Sequence, residues 1–162
     1  MILVTHAVVG ATVDSFVPAH PVAGFVFGFF SHFVLDSIPH WDYKIKSGFI
    51  DPNRNTRFSF SKDIVVDAMK IVADILAGFV LAYILFHNHI SGVAVYAGVI
   101  GALMPDILQF VQAKIPWKPL VQLRRFHAWI QSDKRFKYRP LVGAGMQAML
   151  IIIVSATIFL LR

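Results

Sequence analysis

From Leu141 to Leu161 the chain carries no charged side chain. A run of about 20 apolar residues is what an α-helix needs to cross a hydrocarbon core ~30 Å thick. Three further runs repeat the pattern: Pro21 to Ile38, about Asp63 to His87, and about Gly92 to Gln112. Pro21 and Pro140 stand where a first helical turn tolerates proline, Pro39 stops the second run, and Ser91 is a plausible N-cap for the fourth. The first run, Ile2 to Val17, is shorter and carries His6 and Asp14, so it is expected as a tilted span or a partial insertion. Charged residues make up only 15% of the chain, against about a quarter in soluble domains. The expectation is one all-α domain over residues 1–162, a polytopic membrane helix bundle of about five transmembrane helices.

The basic residues orient this bundle. Of the 15 Lys and Arg, Lys44, Lys46, Arg54, Arg57 and Lys62 fall between the second and third runs. Lys114, Lys118, Arg124, Arg125, Lys134, Arg135, Lys137 and Arg139 fall between the fourth and fifth. Short loops rich in Lys and Arg stay cytoplasmic, which puts the N-terminus inside and Arg162 outside an inner membrane. The net charge of +6 is therefore mostly a matter of topology, and no nucleic-acid partner is expected. Residues Pro119 to Gln131 are too polar to span. Their Leu, Phe, Trp and Ile interleaved with Arg124 and Arg125 predict an amphipathic helix lying in the cytoplasmic interface. The start of the chain lacks a basic n-region and soon meets Asp14, so no cleavable signal peptide is expected there. With no cysteine, disulfides and thiolate metal sites are excluded, and a bacterial or archaeal inner membrane fits.

Against this apolar background, Ser31 to Asp42 concentrates His32, Asp36, His40 and Asp42 in a few residues. His32 and Asp36 are four apart and share a helix face. Ionisable groups in membrane-like sequence are costly and point to function. All nine acids are aspartate. Under the proposed topology His6, His32, Asp36, His40, Asp42, Asp63, Asp67 and Asp106 gather at one depth near the cytoplasmic face, with His127 of the interfacial segment beside them. Asp63, Asp67, Lys70 and Asp74 form a polar stripe in which Lys70 is the expected ion partner of Asp67 or Asp74. Asp106 follows Pro105, whose ring interrupts the helix and frees backbone carbonyls beside a carboxylate.

Histidine nitrogen plus carboxylate oxygen, without sulfur, is a ligand set for a divalent metal, zinc or manganese above all. His32, Asp36 and His40 are the expected ligands, joined by Asp106 and His6. Asp42 or Asp67 is the candidate catalytic group that positions or deprotonates water. Neither a phosphate-cradling glycine loop nor a Gly-x-Ser-x-Gly elbow occurs.

The Ser31-His32-x-x-x-Asp36 segment after Gly28-Phe29-Phe30 resembles a motif of the predicted inner-membrane, metal-dependent hydrolases that include a LexA-regulated (YdjM-like) member. Gly101 to Asp106 is similar to that family's Leu-Pro-Asp signature, and Thr5-His6 to its N-terminal histidine. The resemblance implies metal-site roles for His6, His32, Asp36 and Asp106. Ile107-Leu108-Gln109 stands where the family has a second Asp and a His, and Phe126-His127 is the nearest counterpart of its His-Arg-x-x-Thr-His-Ser stretch. His-x-x-x-Asp followed by Pro-His is also similar, by analogy alone, to zinc phospholipase C and related nucleases.

The expected activity is metal-dependent hydrolysis of a phosphoester, on a lipid headgroup at the cytoplasmic interface, with membrane lipids as partners. The alternatives are a noncatalytic membrane scaffold, whose polar cluster only fixes helix packing, and a small cation or proton transporter.

Overall fold

The computed structural model describes residues 1–47, 62–115, 117–132, 136 and 139–161. Six helices occur among them: α1 (Leu3–Asp14), α2 (Pro21–Asp36), α3 (Lys62–Phe86), α4 (Gly92–Lys114), α5 (Lys118–Ile130) and α6 (Pro140–Leu161). No strand occurs among the described residues. Three helices are long and apolar enough to cross a membrane: α3, α4 over Gly92–Gln112, and α6 over Pro140–Thr157. The other two apolar runs fold as the shorter helices α1 and α2. At ~1.5 Å per residue, their 12 and 16 residues fall short of a straight crossing of ~30 Å. Of the basic residues that set the expected orientation, Arg54, Arg57, Lys134, Arg135 and Lys137 lie outside the described residues.

The short first helix is the centre of the molecule. α2, α3, α4 and α6 all pack on α1, and it is buried continuously from Thr5 to Thr12. A helix that is apolar all round is buried all round. Ala7, Val8 and Ala11 meet Ala82 and Phe86 of α3 and Val95, Val99 and Leu103 of α4 in the main core. The approach of α1 to α4 depends on two glycines. A Cβ at Gly98 would overlap the Gly10 carbonyl oxygen, and one at Gly10 would overlap that of Gly98. Small residues at a crossing let two backbones touch, the packing that helices in lipid favour. The outward surfaces are apolar instead, with Val65, Met69, Val72 and Leu76 of α3 and Met149, Ile152 and Ile153 of α6 all exposed.

The first turn of α1 is held by its neighbours. Ile2, at the N-cap, offers no capping side chain. Leu3 N–H and Val4 N–H instead donate to the two oxygens of Asp74 in α3, at 2.7 and 3.0 Å. Gln147 of α6 accepts from Ile2 N–H at 3.1 Å and from the Thr5 hydroxyl at 3.2 Å. A carboxylate at this position also faces the positive end of the α1 dipole. The polar stripe of α3 is thus divided between two tasks. Asp74 caps α1, while Lys70 donates to Asp67 Oδ1 at 2.9 Å.

A helix does form over the polar stretch Pro119 to Ile130, as α5. Its Phe126 and His127 rings lie 5.0 and 5.3 Å from the Phe33 ring of α2, while Trp129 points away from the protein. α5 therefore covers the end of the bundle where α1 begins and α2 stops.

Candidate metal centre

Four helices deliver one cluster. The first turns of α1 carry His6, the last turn of α2 carries His32 and Asp36, α4 carries Asp106 just past its internal Pro105, and α5 carries His127. His6, His32 and Asp36 each present one ligand atom, all within 4.8 Å of one another, and His32, Asp106 and His127 do the same. His32 belongs to both groups. Its ring stacks on that of His6 with centroids 4.0 Å apart and planes 18° from parallel.

Around Asp36 the spacing is tight. Its Oδ1 lies 3.2 Å from His6 Nε2, and its Oδ2 lies 2.7 Å from His127 Nε2 and 3.4 Å from His32 Nε2. The Met1 nitrogen is 3.1 Å from Asp36 Oδ1 and 3.5 Å from Asp42 Oδ2. Asp106 Oδ1 lies 3.6 Å from His32 Nε2. His6, His32, Asp36 and His127 are all buried, with 0 to 2% exposure, whereas the Asp106 side chain is 35% exposed. The cluster is closed on every side but that of Asp106.

One backbone contact places a proton on His32 Nδ1. Its Nδ1 lies 2.7 Å from the Ala102 carbonyl oxygen. A carbonyl can only accept, so Nδ1 carries the proton, and in the neutral ring Nε2 is a lone pair. That lone pair faces Asp36, Asp106 and the His127 Nε2 at 3.3 Å. Gln109 orients the far side. Its amide nitrogen donates to Asp106 Oδ1 at 3.0 Å and to His127 Nδ1 at 2.6 Å. His127 Nε2–H is then left to donate to Asp36 Oδ2. Neither ring nitrogen of His6 has a hydrogen-bond partner among the described residues. A buried imidazole whose Nε2 lies 3.2 Å from the Asp36 carboxylate without a formed hydrogen bond, stacked on a second imidazole, is a set of donors that fits a divalent ion. The hydrogen bond from His32 to Ala102 is the outer contact that a ligating imidazole uses to hold its orientation, and the one from Gln109 to Asp106 serves a ligating carboxylate in the same way.

The remaining candidates lie at the rim or apart. His40 belongs to neither ligand group. It follows the end of α2, and its Nδ1 donates to the Ile38 carbonyl at 2.7 Å, a local turn contact that draws the ring back on its own chain. Asp42 lines a cavity that also reaches Asp106. Burial pushes its carboxyl up to about 6; the Met1 amino group works against this, and the Asp106 and Asp36 charges add to it. Burial also holds the neighbouring Tyr43 hydroxyl above its ordinary value, with the nearby Asp74 and Asp42 carboxylates adding to it. Asp67 is engaged with the 44–47 segment. It accepts from Lys46 N–H at 2.7 Å and Ser47 N–H at 2.8 Å, besides its ion pair with Lys70.

Of the residues expected as metal ligands, the fold brings His6, His32, Asp36 and Asp106 together and leaves His40 aside. It adds His127, which the reading of the sequence kept beside the cluster rather than among the ligands, and Gln109, which that reading did not weigh. The signal for Gln109 was its place one turn after Asp106 on the same face. No protein-family model, curated protein or solved structure matches the chain, so its chemistry is read from this cluster alone.

Proposed function

We propose that this chain is a divalent-metal-dependent hydrolase of phosphoesters, seated in the inner membrane with the His/Asp cluster at the cytoplasmic face. The observation that carries the reading is His32 Nε2, turned by the Ala102 contact toward two carboxylates and a second imidazole in a buried space. In this reading α3, α4 and α6 cross the bilayer, α1 and α2 complete five membrane-embedded helices, and α5 lies in the interface.

His6, His32, Asp36 and Asp106 would hold the metal, zinc or manganese by the nitrogen and oxygen character of the set, and His127 would join them on giving up its Nε2 proton. Bound there, such an ion supplies polarisation of a phosphoryl oxygen and activation of water at neutral pH. Asp42, at the rim, takes the proton from water; a carboxyl raised toward neutrality suits that work. Asp67 fixes the backbone of the segment that follows Asp42 and so positions it. Lys44, Lys46, Arg124 and Arg125 raise the local concentration of an anionic ester.

The test has two parts. Purified protein is assayed for metal by mass spectrometry, alongside His32→Ala and Asp36→Asn. It is then screened against phospholipids and nucleotides with several divalent ions. Stoichiometric zinc or manganese in the wild type and its loss in both variants, with helicity kept, is the expected result. Metal-dependent phosphate or headgroup release that vanishes in His32→Ala and falls in Asp42→Asn is expected with it. Wild type without metal after reloading, or equal background from wild type and His32→Ala, sinks the hydrolase. The scaffold reading then takes its place, because the direct His127–Asp36 hydrogen bond at 2.7 Å ties α5 to α2 without any ion.

A further inference from the structure

Between α3 and α4, beside the cluster, lies a cavity of about 400 Å³, within the ~300–1,000 Å³ of ordinary small-molecule sites. Ile71 and Val72 of α3 and Ile107 and Phe110 of α4 belong to its predominant apolar lining, and Asp42, Asp67 and Asp106 to its polar part. Asp106 is the one cluster residue with appreciable exposure. The cavity is therefore the way in from outside to the candidate centre.

The chemistry of its walls selects the occupant. A soluble phosphoester is polar over its whole length and would need polar partners along the groove, because a polar group buried without them costs roughly 2–7 kcal/mol. A hydrocarbon chain needs none and gains from each methylene buried. The outer face of α3 beside the groove is apolar and exposed at Val65, Met69, Val72 and Leu76, so in a bilayer the neighbouring medium is acyl chain.

We propose that the groove takes one hydrocarbon chain of a phosphate-bearing membrane lipid, with the headgroup at Asp106 and Asp42. The headgroup assignment rests on the hydrolase reading; the chain site stands on the apolar walls.

A phosphatidic acid with a diazirine in one acyl chain tests it. The probe is added below one equivalent to full-length protein in detergent micelles, irradiated, and mapped by peptide mass spectrometry. Label should concentrate at Ile71, Ile107 or Phe110, above the outward Val65 and Met69 of α3. It should be lost in Ala68→Trp, where an exposed groove-lining alanine gains bulk without entering the core. Ile107→Trp obstructs the same groove from α4 and should give the same loss. Label shared evenly with the outward Ile152 and Ile153 of α6, or unchanged in both variants, overturns the proposal. Metal is measured in the same samples. Metal without groove label removes this inference alone, whereas groove label without metal leaves the chain site and removes the hydrolase.

Discussion

Gln109 is a neutral group that touches two members of the cluster, and its amide decides how both are presented. Replacing it by leucine keeps the helical volume and removes both donors, to Asp106 at 3.0 Å and to His127 at 2.6 Å. Loss of such an outer contact costs roughly 10–100-fold in metal affinity. Gln109→Leu should therefore fold normally and bind zinc more weakly by that factor, read by competition with a chromophoric chelator. Equal affinity would show that His127 is held by its packing on Phe33 and not by the amide. At this scale the sequence was partly legible. His32 and Asp36 announce themselves by a four-residue spacing in an apolar helix. His127 does not, because its approach to Asp36 spans 91 residues of chain and α5 reads chiefly as a basic amphipathic helix. His40 stands outside both ligand groups for a local reason. Pro39 ends the helix, and the ring then bonds the Ile38 carbonyl instead of continuing the helical face.

Among the elements, α1 owes its start to other helices. Asp74 accepts two amides that would otherwise be orphans of the first turn. Losing a cap of this kind costs about 1–2 kcal/mol. Asp74→Ala should lower the melting temperature in detergent and also weaken metal binding, since His6 sits on the turn that the cap holds. Asp74→Asn, which keeps one acceptor oxygen, should lose less of each. A lower melting point with undiminished metal affinity would detach His6 from the centre. This device leaves no mark in the sequence around α1, where Ile2 gives no sign of a cap. The stripe of Asp67, Lys70 and Asp74 was readable, but the same spacing serves an ion pair or a cap on another helix equally well. The length of α1 was also hard to read, because an all-round apolar segment of 12 residues suits a central buried helix as well as part of a span.

Over the whole molecule, chain direction and charge agree on one arrangement. α1, α3 and α6 all begin at the cluster end, where Met1 meets Asp36, Asp67 holds the 44–47 segment, and Gln147 donates to the Trp41 carbonyl at 2.8 Å. α2 and α4 return to that end, bringing Asp36 and Asp106. The basic residues Lys44, Lys46, Lys114, Lys118, Arg124 and Arg125 lie in the segments that join these same ends, which the proposed orientation puts on the cytoplasmic side. The turn after α3, with His87, Asn88 and His89, carries no Lys or Arg, and the same proposal puts it outside. The chain has no cysteine of its own, so single cysteines report cleanly. With an impermeant thiol reagent, Asn88→Cys should label on intact cells, while Ser47→Cys and Ser132→Cys should label only after permeabilisation. The backbone ties of Ser47 to Asp67 and of Ser132 to the Asp36 carbonyl, both at 2.8 Å, survive these substitutions, so the tags report the cluster end itself. The reverse pattern would leave the cluster intact but turn it outward, and a cytoplasmic substrate could then no longer reach Asp106.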